Sequence, residues 1–598
     1  MLSLLGFLIA ILLLLAAPAV QAQFSYTTNG GTITINGYSG TAGTLTIPVR
    51  INGLPVTSIG NSAFINVTSL TSVTIPDSVT SIQDSAFAYC VDLTSVYFEG
   101  NAPTADSTVF SGDNIATIYY LSGTTGWSNT FGGRPAVSEN SGQAQFSDTT
   151  NAGKITITGY SGPDTVVIPS AINGLPVTKI GDGAFSNLTS LASVTIPVSV
   201  TSIGNAAFAY CVGLTNVTIP DSVTQLGENV FFDSGLTSVA IPGNLDTIPG
   251  GAFAYCINLA NVTIPYSVTN IGTNAFAYCS SLANLTIPDR VRNIGTEAFE
   301  YCGSLDNLTI PGSVHIIGES AFAYCGSLVR VTLANGVTNI GTDAFGYCGS
   351  VASVNIPDSV TNIGSYAFYE CSNLSNVIIP KRVRSIGDDA FAYCSSLTGV
   401  TISNGLTNIG VSAFYSCSSL TNVTIPGSVR SIGGDTFAYC ASLANVTISN
   451  DVHIIGDDAF SYCPSLTNIS LPNSITNIGG YAFYGCSKLV SISIPRNVRS
   501  IGDDTFAYCA SLATVTISNG VHGIGDDAFA YCPNLTRISI PNSITNIGAE
   551  AFYYCTSLAS VTIPHSVRTI GDNAFAYCSS LASVTITNGA NTIGEYAF

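Results

Sequence analysis

The chain has 598 residues, room for several ordinary domains or one long array, and 46% of them are hydrophobic, enough for a large core. Only 9% are charged, against a typical ~25%, so the polar surface is built mostly from Ser, Thr and Asn. The net charge of −19, from 16 basic and 35 acidic residues, argues against a nucleic-acid partner, because phosphate binding relies on basic patches.

The first 22 residues, MLSLLGFLIAILLLLAAPAVQA, carry no charge. An apolar run from Leu4 to Ala17 leads through Pro18 to Val20-Gln21-Ala22, a small-residue cleavage signal. This reads as a secretory signal peptide over residues 1–22, cut after Ala22. An uncleaved membrane anchor is the alternative, because the leading region lacks Lys and Arg. No later segment has the ~20 continuous apolar residues of a membrane span. The expected location is secreted or cell surface.

QFSYTTNGGTITINGYSG at Gln23 returns as QFSDTTNAGKITITGYSG at Gln145. Each predicts a hairpin, turning at Asn29-Gly30 or at Asn151-Ala152, that caps the open end of an array. The first array, residues 23–137, is short, with Phe64, Phe87 and a degenerate turn at Phe110. It closes with IYYLSGTTGWSNTFGGRPAV, which holds the only tryptophan, Trp127. A polar linker fills 138–144. The second array, 145–598, stops inside the repeat motif before an expected cysteine, so its C-terminal end reads as incomplete.

The repeat itself is marked by cysteine. Fifteen of the 17 cysteines, Cys256 to Cys578, follow one another at an interval of 23 residues, and Cys90 and Cys211 stand in the same motif upstream. Between Cys211 and Cys256 one unit is a residue short and carries Ser234 instead. In the unit CSSLANLTIPDRVRNIGTEAFEYC, Cys279–Cys302, Leu285 and Ile287 alternate with polar residues, which predicts a short strand. Pro288 ends it, since proline gives no ladder donor. Gly295 turns the chain, and Ala298, Phe299 and Cys302 then recur at one-turn spacing, which predicts a short helical or 3₁₀ segment capped by a residue such as Thr296 or Asp388. No unit can bury its own apolar stripe, so the units must stack. The expectation is a β-rich α/β solenoid of 23-residue units. A 69-residue period overlies the first: near-identical blocks begin at Arg430 and Arg499, and a third copy starts at Arg568.

The frame L-x-x-V-x-I-P-x-x-V-x-x-I-G-x-x-A-F-x-x-C resembles the BspA-type leucine-rich repeats, the treponemal class, over nearly the whole chain after residue 22. The resemblance implies a curved right-handed solenoid with a strand-lined concave face. It also implies a bacterial surface or secreted protein, several such proteins being adhesins for host matrix or for other bacteria. It supplies no residue-level binding motif.

Zinc fits the cysteines poorly, because a zinc site needs four converging donors and these lie in a line. Disulfides suit an exported chain, and stacked turns ~5 Å apart fall inside the disulfide window. The preferred reading is a buried free thiol of the right size for a tight layer. His315, His453 and His522 share a frame position but lie three or six units apart, and His565 sits elsewhere, so no shared metal is expected. Asp pairs begin at Asp388, Asp457, Asp503 and Asp526. Calcium competes there with charge pairing to Arg292, His315, Arg384, Arg430, His453, Arg499, His522 and Arg568, each of which has an acid four or five residues later. The pairing is preferred.

No G-x-S-x-G, H-E-x-x-H or P-loop motif occurs, and no cofactor is expected. The predicted ligand surface is the outward side of the concave strand face: Asn284, Thr286, Asn307, Thr309, Arg330, Thr332, Asn355 and Arg537. The expected function is non-catalytic binding of an extracellular protein or glycan, as a cell-surface adhesin. The charge of −19 favours basic or neutral partners over anionic ones. A structural envelope protein without a ligand is the alternative reading. A glycan-processing enzyme would need carboxylates converging in a cleft, and an ice-binding threonine array would need a flat face. The sequence sets no oligomeric state.

Overall fold

A computed structural model describes residues 23–41, 43–121, 123–138, 145–587 and 589–598. The leader over 1–22 and all but the first residue of the 138–144 linker lie outside the described residues. By contact density the chain divides into two units. One comprises the described residues of Met1–Gly162 with Pro169–Val177, the other Pro163–Ile168 with Thr178–Phe598.

In the first unit, Phe24–Asn29 and Thr32–Tyr38 pair antiparallel from Phe24↔Tyr38 to Asn29↔Thr32. Gly30 (φ 58°) and Gly31 (φ 86°) form the two-residue turn, whose left-handed backbone suits glycine. Phe24 packs its ring against Tyr38 and Phe64, with centroids 5.4 and 6.4 Å apart. Strands at Thr44–Thr46, Ser72–Ile75, Ser95–Phe98, Thr117–Tyr120 and Arg134–Ser138 then stack in parallel. Trp127 lies flat on Tyr120 at 4.5 Å and meets Phe98 at 4.9 Å, closing the apolar column. A second hairpin, Phe146–Asn151 with Lys154–Tyr160, repeats the first.

In the second unit the turns of chain share a three-sided plan, with the strand side reduced to a single bridge at Asn284 in one of them. The N-V-T-I segment is a strand whose residues alternate outward and inward. In Asn422–Ile425, Asn422 and Thr424 are exposed while Val423 and Ile425 are buried. Eight such strands, Asn376–Ile379 to Arg537–Ser539, form one parallel sheet. After the proline corner a two-residue strand follows, and sixteen of these, Thr247–Ile248 to Thr592–Ile593, make a continuous parallel sheet. Pairing is in register, as in Asn270↔Asn293 and Ile271↔Ile294.

The third side corrects the sequence reading. The described residues contain no helix, so the α/β class and the helical or 3₁₀ segments do not stand; the fold is a β-solenoid of parallel strands and turns. The reason is backbone conformation. In the turn Gly433–Cys440, Asp435 (φ 53°) and Tyr439 (φ 61°) are left-handed, which a right-handed helix excludes. The amides that a helix would turn inward point along the solenoid instead: Asp435, Phe437 and Tyr439 donate to the carbonyls of Asp457, Ala459 and Ser461 at 2.9 Å each. The intervening amides close turns within the layer, as Ala438 to Asp435 at 3.0 Å. A bulky tyrosine in this region is costly alone. It is held by bonds on both sides of the layer.

Two details fix the layer spacing. Phenylalanine rings from Phe185 to Phe598 stack nearly parallel, as Phe391 on Phe414 at 5.4 Å and 3°. The I-G glycines sit where turns come closest: a Cβ on Gly318 would lie 2.5 Å from the Gly295 carbonyl carbon and oxygen. Glycine is required there for approach rather than for a positive φ.

Candidate functional site

The strand face places most of the predicted residues side by side. Asn307, Arg330 and Ser353 are consecutive partners across three turns, as are Thr309, Thr332 and Asn355. All are exposed except Thr332, which is half-buried. Asn284 and Thr286 are exposed one turn earlier, where Asn284 bridges Asn261. Arg537 does not join them: it pairs with Thr514 in the eight-stranded sheet, nine turns beyond Arg330. At ~5 Å per layer that is ~45 Å away.

The polar files are partly self-satisfied. Asn445 Nδ2 donates to Asn422 Oδ1 at 2.8 Å, and Asn307 Nδ2 to Asp306 Oδ2 at 2.9 Å. Asn355 Nδ2 reaches the Leu333 carbonyl at 3.4 Å. Arg330 makes no ion pair among the described residues, which leaves its guanidinium open to a ligand carboxylate. Sequence reasoning missed Ile378, which interrupts the threonine file and is 64% exposed beside Thr401. The signal was present as NVII at 376–379. It gives the face one apolar anchor point among hydroxyls.

The reasoning also missed an aromatic file on the turn side. Tyr255, Tyr278, Tyr301, Tyr324 and Tyr347 stack face to face at 4.3–4.5 Å. Beyond Tyr347 the file runs through Tyr369 and Tyr393 toward Tyr577 with tilted and edge-on contacts. From Tyr278 to Tyr324 both ring faces are covered by neighbouring rings.

The acidic residues of that side are not paired with the bases named above: among the described residues no ion pair joins them, and the charge-pairing reading is corrected. The first carboxylate of each Asp pair holds the next turn instead. Asp388 Oδ1 accepts the Val411 amide at 2.8 Å, Asp457 that of Gly480 at 3.0 Å, and Asp526 that of Ala549 at 2.7 Å. One oxygen of each is committed to the backbone while the side chain stays exposed, and among the described residues no cluster of His, Cys, Asp and Glu is arranged to hold a metal.

Other carboxyls carry their charge at a cost. Desolvation first, then the charges of Glu297 and Asp343, raises Glu300 to about 7. Desolvation with neighbouring acids raises Asp343 and Asp527 to about 6. A carboxyl that holds its proton more tightly folded than unfolded favours folding as pH falls. The gain starts near pH ~7 and is complete below the ordinary carboxylate range near ~4. Thermal melting is therefore expected to move to higher temperature from pH ~8 to pH ~5; a flat or falling profile would contradict this electrostatic picture.

All 17 cysteines are buried and free. Each thiol from Cys256 to Cys578 donates to a phenylalanine carbonyl of the preceding turn, as Cys394 Sγ to Phe368 O at 3.2 Å. The residue is there for a weak donor as well as for its size. Where the unit is short, Ser234 takes the place and its hydroxyl lies 3.2 Å from Cys256 Sγ.

No functionally curated protein matches the sequence. Among solved structures, a leucine-rich repeat protein from Bacteroides ovatus is 25% identical with a TM-score of 0.51, covering 74% of this chain and 98% of its own. A leucine-rich cell surface protein from Faecalibacterium prausnitzii is 28% identical over 74% of this chain and 93% of its own, with a TM-score of 0.30. A Treponema pallidum leucine-rich repeat protein is 25% identical over 46% of this chain and 88% of its own, with a TM-score of 0.22. The family model for the BspA type leucine-rich repeat region matches residues 41–132 and, in overlapping segments, 178–598. With its period, its core cysteines and its three-sided turns accounted for by that repeat, the chain belongs to the BspA-type leucine-rich repeat family.

Proposed function

We propose that the chain is an exported, non-catalytic binding protein, a cell-surface adhesin that engages an extracellular protein or glycan through its strand face. The observation that carries this reading is the register of that face. Asn307, Arg330, Thr309, Thr332 and Asn355 present hydrogen-bonding groups at adjacent positions on a rigid frame. One neutral site of this kind gives little affinity, but many in line act together. The repeat class supports a binding scaffold, and the F. prausnitzii relative is described as a cell surface protein.

A second reading, a structural envelope protein without a specific ligand, is favoured by one observation. The block at Arg430 is duplicated almost unchanged at Arg499 and, with more substitutions, again at Arg568, which serves length rather than a unique site. A binding screen of the full chain against matrix proteins, bacterial cells and neutral polysaccharides separates the two. Saturable binding to at least one is expected; no binding to any would favour the structural reading.

A further inference from the structure

Charge in the second unit is sorted by side. From Cys279 onward the five-residue corner that begins at the proline position holds nine Lys and Arg, four His and three acids (Asp289, Asp358 and Asp451). Over the same turns the segment from the I-G glycine to the cysteine holds 17 acids and no base. The last corner position forms one file, bonded turn to turn. His315 N donates to Arg292 O at 3.1 Å, Arg384 N to Thr361 O at 2.9 Å, and Arg568 N to Thr545 O at 2.8 Å. Arg292, Arg384, Arg430, Arg499 and Arg568 on this file are exposed, and so are its three histidines. None is ion-paired among the described residues. The acids begin four or five residues further along, past a two-residue strand. At ~3.3 Å per extended residue the separation reaches ~15 Å, beyond the ~8 Å Debye length of physiological salt. The basic file therefore acts with its own sign, although the whole chain is at −19.

We propose that this basic file is the docking edge for a second copy of the chain, laid alongside so that its acidic side faces the file. The two surfaces are commensurate because the same layers build both, with ring spacings of 5.2–5.5 Å between turns. A shift by whole turns keeps arginines opposite carboxylates, and the 69-residue blocks repeat the match at Arg430, Arg499 and Arg568. One exposed pair contributes ~0–1 kcal/mol; several on a rigid frame act jointly. The contact is head-to-tail in type, leaving one free acidic side and one free basic file, so side-by-side growth stays open.

The test is sedimentation velocity of the full chain at ~150 and ~600 mM salt, where the Debye length falls from ~8 to ~4 Å. Concentration-dependent species larger than a monomer are expected at the lower salt and a monomer at the higher. The variant Arg384→Glu/Arg430→Glu/Arg499→Glu/Arg568→Glu should be monomeric at both. The control Arg50→Glu/Lys154→Glu/Lys179→Glu/Lys488→Glu changes four exposed bases outside the file to the same net charge and should associate like the parent. Circular dichroism of each variant confirms folding. A monomeric parent at ~150 mM, equal loss in both variants, or association that survives the first variant would overturn the proposal. So would a file that binds polygalacturonate while the parent stays monomeric, since the edge would then serve an acidic polysaccharide. The strand-face assay is separate, so either reading can fail without the other.

Discussion

Phe391→Ala is expected to lower stability by about 3–5 kcal/mol, the range for deleting a fully buried aromatic ring. The ring is 0% exposed and sits between Phe368 at 5.2 Å and Phe414 at 5.4 Å. Its main-chain carbonyl also accepts the Cys417 thiol at 3.2 Å. Since each turn touches only its neighbours, the cavity weakens two interfaces at once and the array can part there. Denaturant unfolding followed by circular dichroism gives the loss, and alkylation of Cys394 and Cys417 ahead of other cysteines would report the local opening. A loss under about 1 kcal/mol would mean that the ring stack is not the core of the solenoid.

The second large effect is thiol protection. Burial, offset in part by a main-chain hydrogen bond, raises Cys394, Cys440, Cys486 and Cys532 to about 12. Against an ordinary ~8.5, the thiolate fraction at pH ~8 falls by ~10³, before access is considered. Native alkylation is therefore expected to be at least ~10³-fold slower than alkylation in denaturant, where nearly all thiols should react without reductant. Mass spectrometry of alkylated peptides reads both states. Cysteines that stay unreactive after denaturation would establish a disulfide ladder and remove the free-thiol account.

The parts legible in the sequence are those set by local pattern. Alternation in N-V-T-I located the strands, Pro288 and its equivalents the corners, and the 23-residue period the stacking. The turn side was not legible. A-F-x-x-C has the spacing of one helical turn, and nothing local reveals that Tyr439 adopts φ 61°. What stabilises that conformation is a carbonyl one turn away, as Ser461 is for Tyr439, a partner 22 residues distant in sequence. The same non-locality misled the charge reading. Arg384 and Asp388 are close in sequence, but the intervening Ser385–Ile386 strand holds them apart and Asp388 finds the Val411 amide instead. On the candidate face, period alone aligned Asn307 with Arg330. Ile378 was overlooked because it looks like a conservative variant of the strand consensus, yet its position points outward and exposes 64% of its surface.

The central claim is that the strand face carries binding, and the most direct test is the affinity of Thr309→Glu/Arg330→Glu/Thr332→Glu for a partner found in the screen. These side chains lie on adjacent turns and face outward, so the folded state should be kept. Some loss of melting temperature is expected, because Thr309 and Thr332 are direct cross-strand partners and would carry like charges. The account predicts at least ~10-fold weaker binding, equivalent to ~1.4 kcal/mol, by surface plasmon resonance. Affinity unchanged in a folded variant would contradict it and move the site off the strand face.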